Sequence, residues 1–163
     1  MAIKKTAGAE SFWRFSLMLY SRPGVAAALI GLQDKGEHNV NLILLGLWLA
    51  SCGNAVLDDA GLARARAAIA ALDHEVVMPL RRLRRELKGN PDSDIQDLRR
   101  RVLAVEITAE RRAQARLAAS LPRPSRVKPG ERAAIAEANL RLILGADFEA
   151  PETTIVLGTL AKF

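Results

Sequence analysis

The chain of 163 residues has one cysteine, two histidines and seven aromatic residues. One cysteine excludes an internal disulfide. With so few Cys and His ligands, a conventional structural zinc site is excluded as well. There is no glycine-rich phosphate loop, no H-E-x-x-H, no paired C-x-x-C and no G-x-S-x-G. Familiar templates for phosphoryl transfer, metalloprotease chemistry and serine hydrolysis are therefore missing. No repeat recurs at a fixed period, which argues against a solenoid. The longest apolar run, Leu42 to Ala50, falls short of the roughly 20 residues a bilayer span needs. MAIKKTAGAESFW at the start lacks the apolar core of a secretory signal. These absences together lead us to expect a soluble, cytoplasmic protein.

Half of the residues are hydrophobic, but Ala and Leu supply much of that share. Ala, Leu, Arg and Glu dominate over β-branched residues, which favours helix over sheet. The length fits one domain, 1–163, able to bury roughly 70% of its unfolded surface. Net charge is +6 and unevenly placed: between Arg64 and Arg126, fourteen Arg and one Lys face eight acids. Such a basic half points towards a partner with an acidic surface, and less directly to nucleic acid or an anionic membrane surface.

The pattern predicts an all-α, irregular single-domain bundle of about six to seven helices. The first runs from Glu10 to Tyr20, with Phe12, Phe15 and Leu19 on one face and Trp13, Leu17 and Tyr20 beside them. Residues 1–9 are expected to be flexible. Pro23 suits the first turn of a second helix striped by Val25, Leu29 and Leu32, which Gly36 can end with positive φ. Asn39 is the expected N-cap of a third helix, Val40 to Cys52. That segment is apolar nearly all round, as a central helix is, and should bury Cys52 as an inert thiol. Gly53-Asn54 should end it.

Asp58 and Asp59 favour a helix start, and Pro79 should kink or divide the helix that follows. Asp92 or Ser93 caps a long helix reaching Ser120, with Ile95, Leu98, Val102, Val105 and Ala109 as its apolar stripe. LPRPSRVKPG, residues 121–130, reads as an exposed connector. A helix from Pro129 should stop at Gly145. Pro151 to Ala161 reads as a last short helix, with a strand as the alternative.

Two clusters could carry function. One is the corner Gln33-Asp34-Lys35-Gly36-Glu37-His38-Asn39-Val40-Asn41. Asn41 shares a helical face with Leu45 and Trp48, and a buried amide without partners costs roughly 1–3 kcal/mol. Asn41 could therefore tie down the backbone of the Gly36 turn. Alternatively Trp13, Gln33, Asp34, Asn39, Asn41 and Trp48 could form a small polar pocket. A catalytic Asp34 or His38 is a third reading; His38 has no obvious orienting partner, because adjacent Glu37 would not share a face with it. The other cluster is RRLRRELK, where Arg81, Arg82, Arg84 and Arg85 surround Leu80, Leu83 and Leu87. It reads either as a solvated face, its arginine stems covering apolar neighbours, or as a docking surface for an acidic protein. No aromatic is interleaved there for base stacking. Glu106 and Glu110 should pair with arginines along their own helix. The carboxylates Asp34, Glu37, Asp58 and Asp59 match no metal motif, so no metal and no cofactor is expected.

FWRFSLMLYSRPGV, ALIGLQD and NVNLILLGLWLA carry Phe12, Trp13, Phe15, Ser16, Tyr20, Pro23, Gly24, Val25, Leu32, Gln33, Asp34, Val40, Asn41, Leu42 and Trp48 in a characteristic arrangement. In this the first third resembles a family of small uncharacterised bacterial proteins, a domain of unknown function. Asn39 departs from the pattern, where an acid is expected. The resemblance implies a fold but no activity. The first functional expectation is a non-enzymatic accessory or regulatory protein that binds another protein. A binder of a small molecule or lipid metabolite, or an enzyme, using the Gln33–Asn41 corner is the alternative. Nucleic-acid binding by the basic half is a third.

Overall fold

A computed structural model describes residues 2–52, 56–121 and 129–160, with side chains given for all of these except 2–7 and 129. The described residues form α1 (Ala2–Tyr20), α2 (Val25–Gly36), α3 (Val40–Ser51), α4 (Asp59–Leu72), α5 (Met78–Glu86), α6 (Ser93–Ser120), α7 (Arg132–Leu144) and α8 (Pro151–Gly158), with no strand among them. The expected all-α architecture holds. The last segment is helical, because its TTIV run buries Thr153 and Val156 on one helical face.

α3 is the axis of the molecule. Every residue from Val40 to Ala50 is buried, as the all-round apolar pattern requires. α7 packs along one side of it, α1, α2 and α6 along the others. Gly46 lets α7 come close: a Cβ there would lie 2.9 Å from the Ile143 side chain. α1 lies on α6, α2 on α8, and α5 folds back on α6 as a helical hairpin. Among the described residues no single helix is long and apolar enough to cross a membrane. α1 and α2 pass such a test only as a pair, which bends by 102°.

Local chemistry sets the helix starts. The side chains of Asn39, Asp58 and Asp92 each accept a hydrogen bond from a first-turn amide of the next helix, as expected of N-caps. Other boundaries differ from expectation. α1 starts at Ala2, so residues 2–9 are helical; Ala and Lys are good helix formers and no proline interrupts them. Pro23 lies before α2 rather than in its first turn, and Gly24 takes the left-handed conformation at its start. The C-terminal left-handed position of α2 falls on Glu37, not on Gly36. Gly36 is instead a point of close approach, where a Cβ would sit 2.5 Å from the His38 ring and 2.7 Å from the Asp147 carboxylate. Cys52 is exposed, because it lies just past the buried run and caps the end of α3. Gly53-Asn54 and most of the 121–130 connector lie outside the described residues.

The helix around Pro79 is divided, as expected, though by a change of helical winding rather than by a break. A π-helical turn, Asp73–Val77, joins α4 to α5, and the Met78 amide donates to the Asp73 carbonyl, five residues back. A proline ring crowds the carbonyl four residues before it, here that of Glu75. A wider turn at this point relieves the clash at the cost of one inserted residue.

α6 departs most from its expected stripe. Leu98 and Val105 are exposed; Ala109 is buried as expected, but in company with Glu106, Ala113, Gln114 and Leu117. The face turned inward carries a buried glutamate and a buried glutamine beside its alanines and leucine, so charge is gathered inside along it.

Candidate functional site

Between α1, α2 and α3 on one side and the α5–α6 hairpin on the other lies a cleft of about 760 Å³. Both polar clusters singled out from sequence meet in it. Gln33, Asp34 and Asn41 line it from α2 and α3; Arg81, Arg84 and Arg85 line it from α5. α6 contributes Leu103, Glu106, Ile107, Glu110 and Gln114, and α1 contributes Trp13, Ser16, Leu17 and Tyr20.

Its floor is a continuous hydrogen-bonded network. The Ser16 hydroxyl donates to Gln114 Oε1 at 3.1 Å. Gln114 Nε2 donates to Asn41 Oδ1 at 3.0 Å. Asn41 Nδ2 donates to Glu110, whose other oxygen accepts from Arg81. Arg81 Nε reaches Glu106 at 3.4 Å, and Glu106 also accepts from both Nε and Nη2 of Arg84. At the rim Arg85 Nη2 pairs with Asp34 at 2.8 Å. Buried charges persist when they are paired and their remaining lone pairs are used. Each carboxylate on the floor meets that condition.

Burial pushes the Glu110 carboxyl above the ordinary carboxylate range, while Asn41 and Arg81 pull it back. The Tyr20 phenol is pushed up to about 12 by desolvation and by the Glu110 charge, with Arg81 opposing. Tyr20 therefore presents a neutral hydroxyl across the physiological range. Arg111 stacks over Trp13, 5.8 Å from the ring centroid, and pairs with Glu10 at 2.6 Å. This fixes the indole on the cleft wall.

The pocket residues expected from sequence are divided by the fold. Trp13, Gln33, Asp34 and Asn41 line the cleft. Trp48 does not: it stacks on Phe12 at 4.9 Å, and its indole N–H donates to Ser11 at 3.4 Å. It shares a stripe with Asn41, but seven residues of helix separate them by about 10 Å along the axis. Asn39 is occupied as the N-cap of α3, its Oδ1 accepting from the Asn41 amide at 2.9 Å. The Asn41 side chain does not tie down the Gly36 turn; it reaches across to α6. That turn is held instead by His38, which pairs with Asp147 at 2.8 Å.

The arginine run is likewise split. Arg81 and Arg84 are largely covered and paired inward, so they belong neither to a solvated face nor to an outward surface. Arg82 and Arg85 are exposed. Glu106 and Glu110, expected to pair along α6, bridge to α5 and α3. Their spacing with Gln114, four residues apart each time, places all three on one face of α6 and was the available signal for a polar inner surface. Among the described residues no group of three or more His, Cys, Asp or Glu side chains could hold a metal ion.

No curated protein and no solved structure gives a significant match to the chain. A family profile does, over residues 11–117, a span that contains every residue lining the cleft, from Trp13 to Gln114. The chain belongs to the family described as protein of unknown function (DUF2390).

Proposed function

We propose that the protein binds a small molecule in the cleft between α1, α2, α3 and the α5–α6 hairpin. The observation that carries this reading is the convergence of Asp34 and Asn41 with Arg81 and Arg84 around one 760 Å³ space. Small-molecule sites are concave, partly apolar and furnished with a few fixed polar groups. Here Arg81 links Glu106 to Glu110, and Asn41 links Glu110 to Gln114, so the polar atoms are set before a ligand arrives. Preorganisation of this kind lowers the entropy lost on binding.

The test is a metabolite panel followed by NMR of the two indole N–H resonances. A ligand in the cleft moves the Trp13 signal and leaves Trp48, stacked on Phe12, unmoved. Arg84→Ala strips Glu106 of its main partner, loosens the preset floor of the cleft and weakens that ligand by about tenfold or more. A panel that shifts neither resonance counts against the reading.

Protein docking is a second reading, supported by a different surface. Leu98 and Val105 are exposed on α6, and Arg101 and Arg112 are exposed near them along the same helix. An acidic partner would contact this outer side rather than Arg81 and Arg84. Arg101→Glu with Arg112→Glu should abolish such binding, while Arg84→Ala leaves it intact.

A further inference from the structure

Cations outnumber acids in the cleft. Arg81, Arg84, Arg85, Lys88 and Arg99 line it, against Asp34, Glu106 and Glu110. The three carboxylates are taken by Arg81, Arg84 and Arg85. Lys88 and Arg99 are left without a carboxylate among the described residues. Arg99 donates its Nε–H to the Arg84 carbonyl at 3.3 Å, which anchors the side chain against α5 and leaves its charge without a carboxylate to offset it. Lys88 follows the end of α5, one turn after Arg84. Both cations therefore belong to the α5–α6 hairpin and line the same space.

The rest of the rim is apolar and only partly covered. Leu17 is 53% exposed, Ile30 49%, Leu103 38% and Ile107 46%. Single exposed apolar residues need no explanation, but four around one cleft form a patch of the kind that marks a binding groove. Arg99, Leu103 and Ile107 are spaced four residues apart. They form one stripe along α6, about 12 Å long at 1.5 Å per residue, with the cation at one end. Leu17 and Ile30 line the cleft from α1 and α2.

We propose that the ligand is an amphiphile with a carboxylate or phosphate head and an aliphatic tail. The head sits on Lys88 and Arg99. The tail follows the stripe of Leu103 and Ile107, covered from the other side by Leu17 and Ile30. This rests on the small-molecule reading above and specifies its chemistry. Burying the tail supplies affinity in proportion to apolar area removed from water, and the unmatched cations supply the selectivity for a negative head.

The test uses dodecanoate and dodecyl phosphate below their micelle concentrations, dodecanol, dodecyltrimethylammonium, inorganic phosphate, and phosphatidylglycerol vesicles. Binding is read from the Trp13 indole N–H and the backbone amides of Leu103 and Ile107. Both anionic amphiphiles are expected to bind. Dodecanol and inorganic phosphate bind about tenfold more weakly or worse, and the cationic amphiphile does not bind. Lys88→Glu with Arg99→Glu lowers dodecanoate affinity by about tenfold or more and leaves dodecanol unchanged. Lys88→Glu alone, at an exposed position, gives a smaller loss in the same direction and covers the case in which the double variant is misfolded.

Equal binding of dodecanol and dodecanoate, or charge reversal without effect, overturns the head-group assignment but leaves the cleft reading standing. Silence of every monomeric amphiphile, with a metabolite from the panel still moving Trp13, overturns the amphiphile class alone. Silence to amphiphiles and panel together sinks both. Binding to vesicles with all monomers inert overturns the proposal in favour of attachment to a membrane surface.

Discussion

Two buried asparagines, one on the central helix and one packed against it, are used in opposite ways. Asn139 on α7 accepts from the Leu57 amide at 2.7 Å and donates to the Gly46 carbonyl at 3.0 Å. Both of its partners are backbone, fixed in number and charge. Asn41 on α3 meets Gln114 and Glu110, both side chains, one of them ionisable. The α7 side of α3 is thus a scaffold, where a polar group closes gaps in the backbone hydrogen bonding. The α6 side is a place where polar side chains are held facing an open space. A protein that needed only to fold had cheaper choices on the second side, since apolar residues of similar volume often serve stability as well as a buried ion pair.

The contrast can be broken in several ways. The largest effect is expected at Leu140, fully buried against α3. Leu140→Ala should cost about 2–5 kcal/mol in chemical denaturation and leave ligand affinity unchanged. Next is the direct comparison of the amides. Asn139→Ala leaves the buried Leu57 amide without an acceptor, while the Gly46 carbonyl keeps its helical donor, and should cost about 2–3 kcal/mol. Asn41→Ala should cost nearer ~1 kcal/mol, because Glu110 keeps Arg81 and Gln114 keeps Ser16. The reverse order would mean that the two sides of α3 have been assigned the wrong way round.

A subtler effect follows from Glu110. Its folded pKa lies above its unfolded value, chiefly through burial. Its contribution to stability is therefore present at low pH and is lost as pH rises through the folded pKa. Glu110→Gln removes this loss. The stability of the variant relative to the original should improve as pH rises above the ordinary carboxylate range, as measured by urea unfolding at each pH. A difference independent of pH would show that the carboxyl is not perturbed. The smallest effect belongs to Arg82, which is exposed and 3.9 Å from an exposed Glu86. Arg82→Ala should change stability by no more than about 0.5 kcal/mol.

What the sequence made legible was local or all-or-none. A helix apolar on every side can only be central, and α3 is. Asn39, Asp58 and Asp92 cap helices because a cap needs nothing beyond its own first turn. The amide of Asn41 stood out because it interrupts an apolar face. Its partners did not, because they are distant in the chain. Glu106 and Glu110 sit among arginines of α6, and pairing along that helix satisfied the pattern equally well. Which arginine they meet depends on how α5 is rotated against α6, and no local signal reports that rotation. Trp48 misled for a related reason: a helical face has length, and residues sharing it can serve opposite ends of the molecule.

The π turn at Asp73–Val77 supplies that missing rotation. An inserted residue advances everything downstream by about 100° around the helix axis, so it acts as a phase shifter between two otherwise ordinary helices. With it, the guanidinium groups of Arg81 and Arg84 meet the carboxylates of Glu106 and Glu110; retuned by one residue, the same sequence would point them at bulk water. The charge pairing across the α5–α6 hairpin thus depends on one irregular turn that supplies none of its hydrogen bonds.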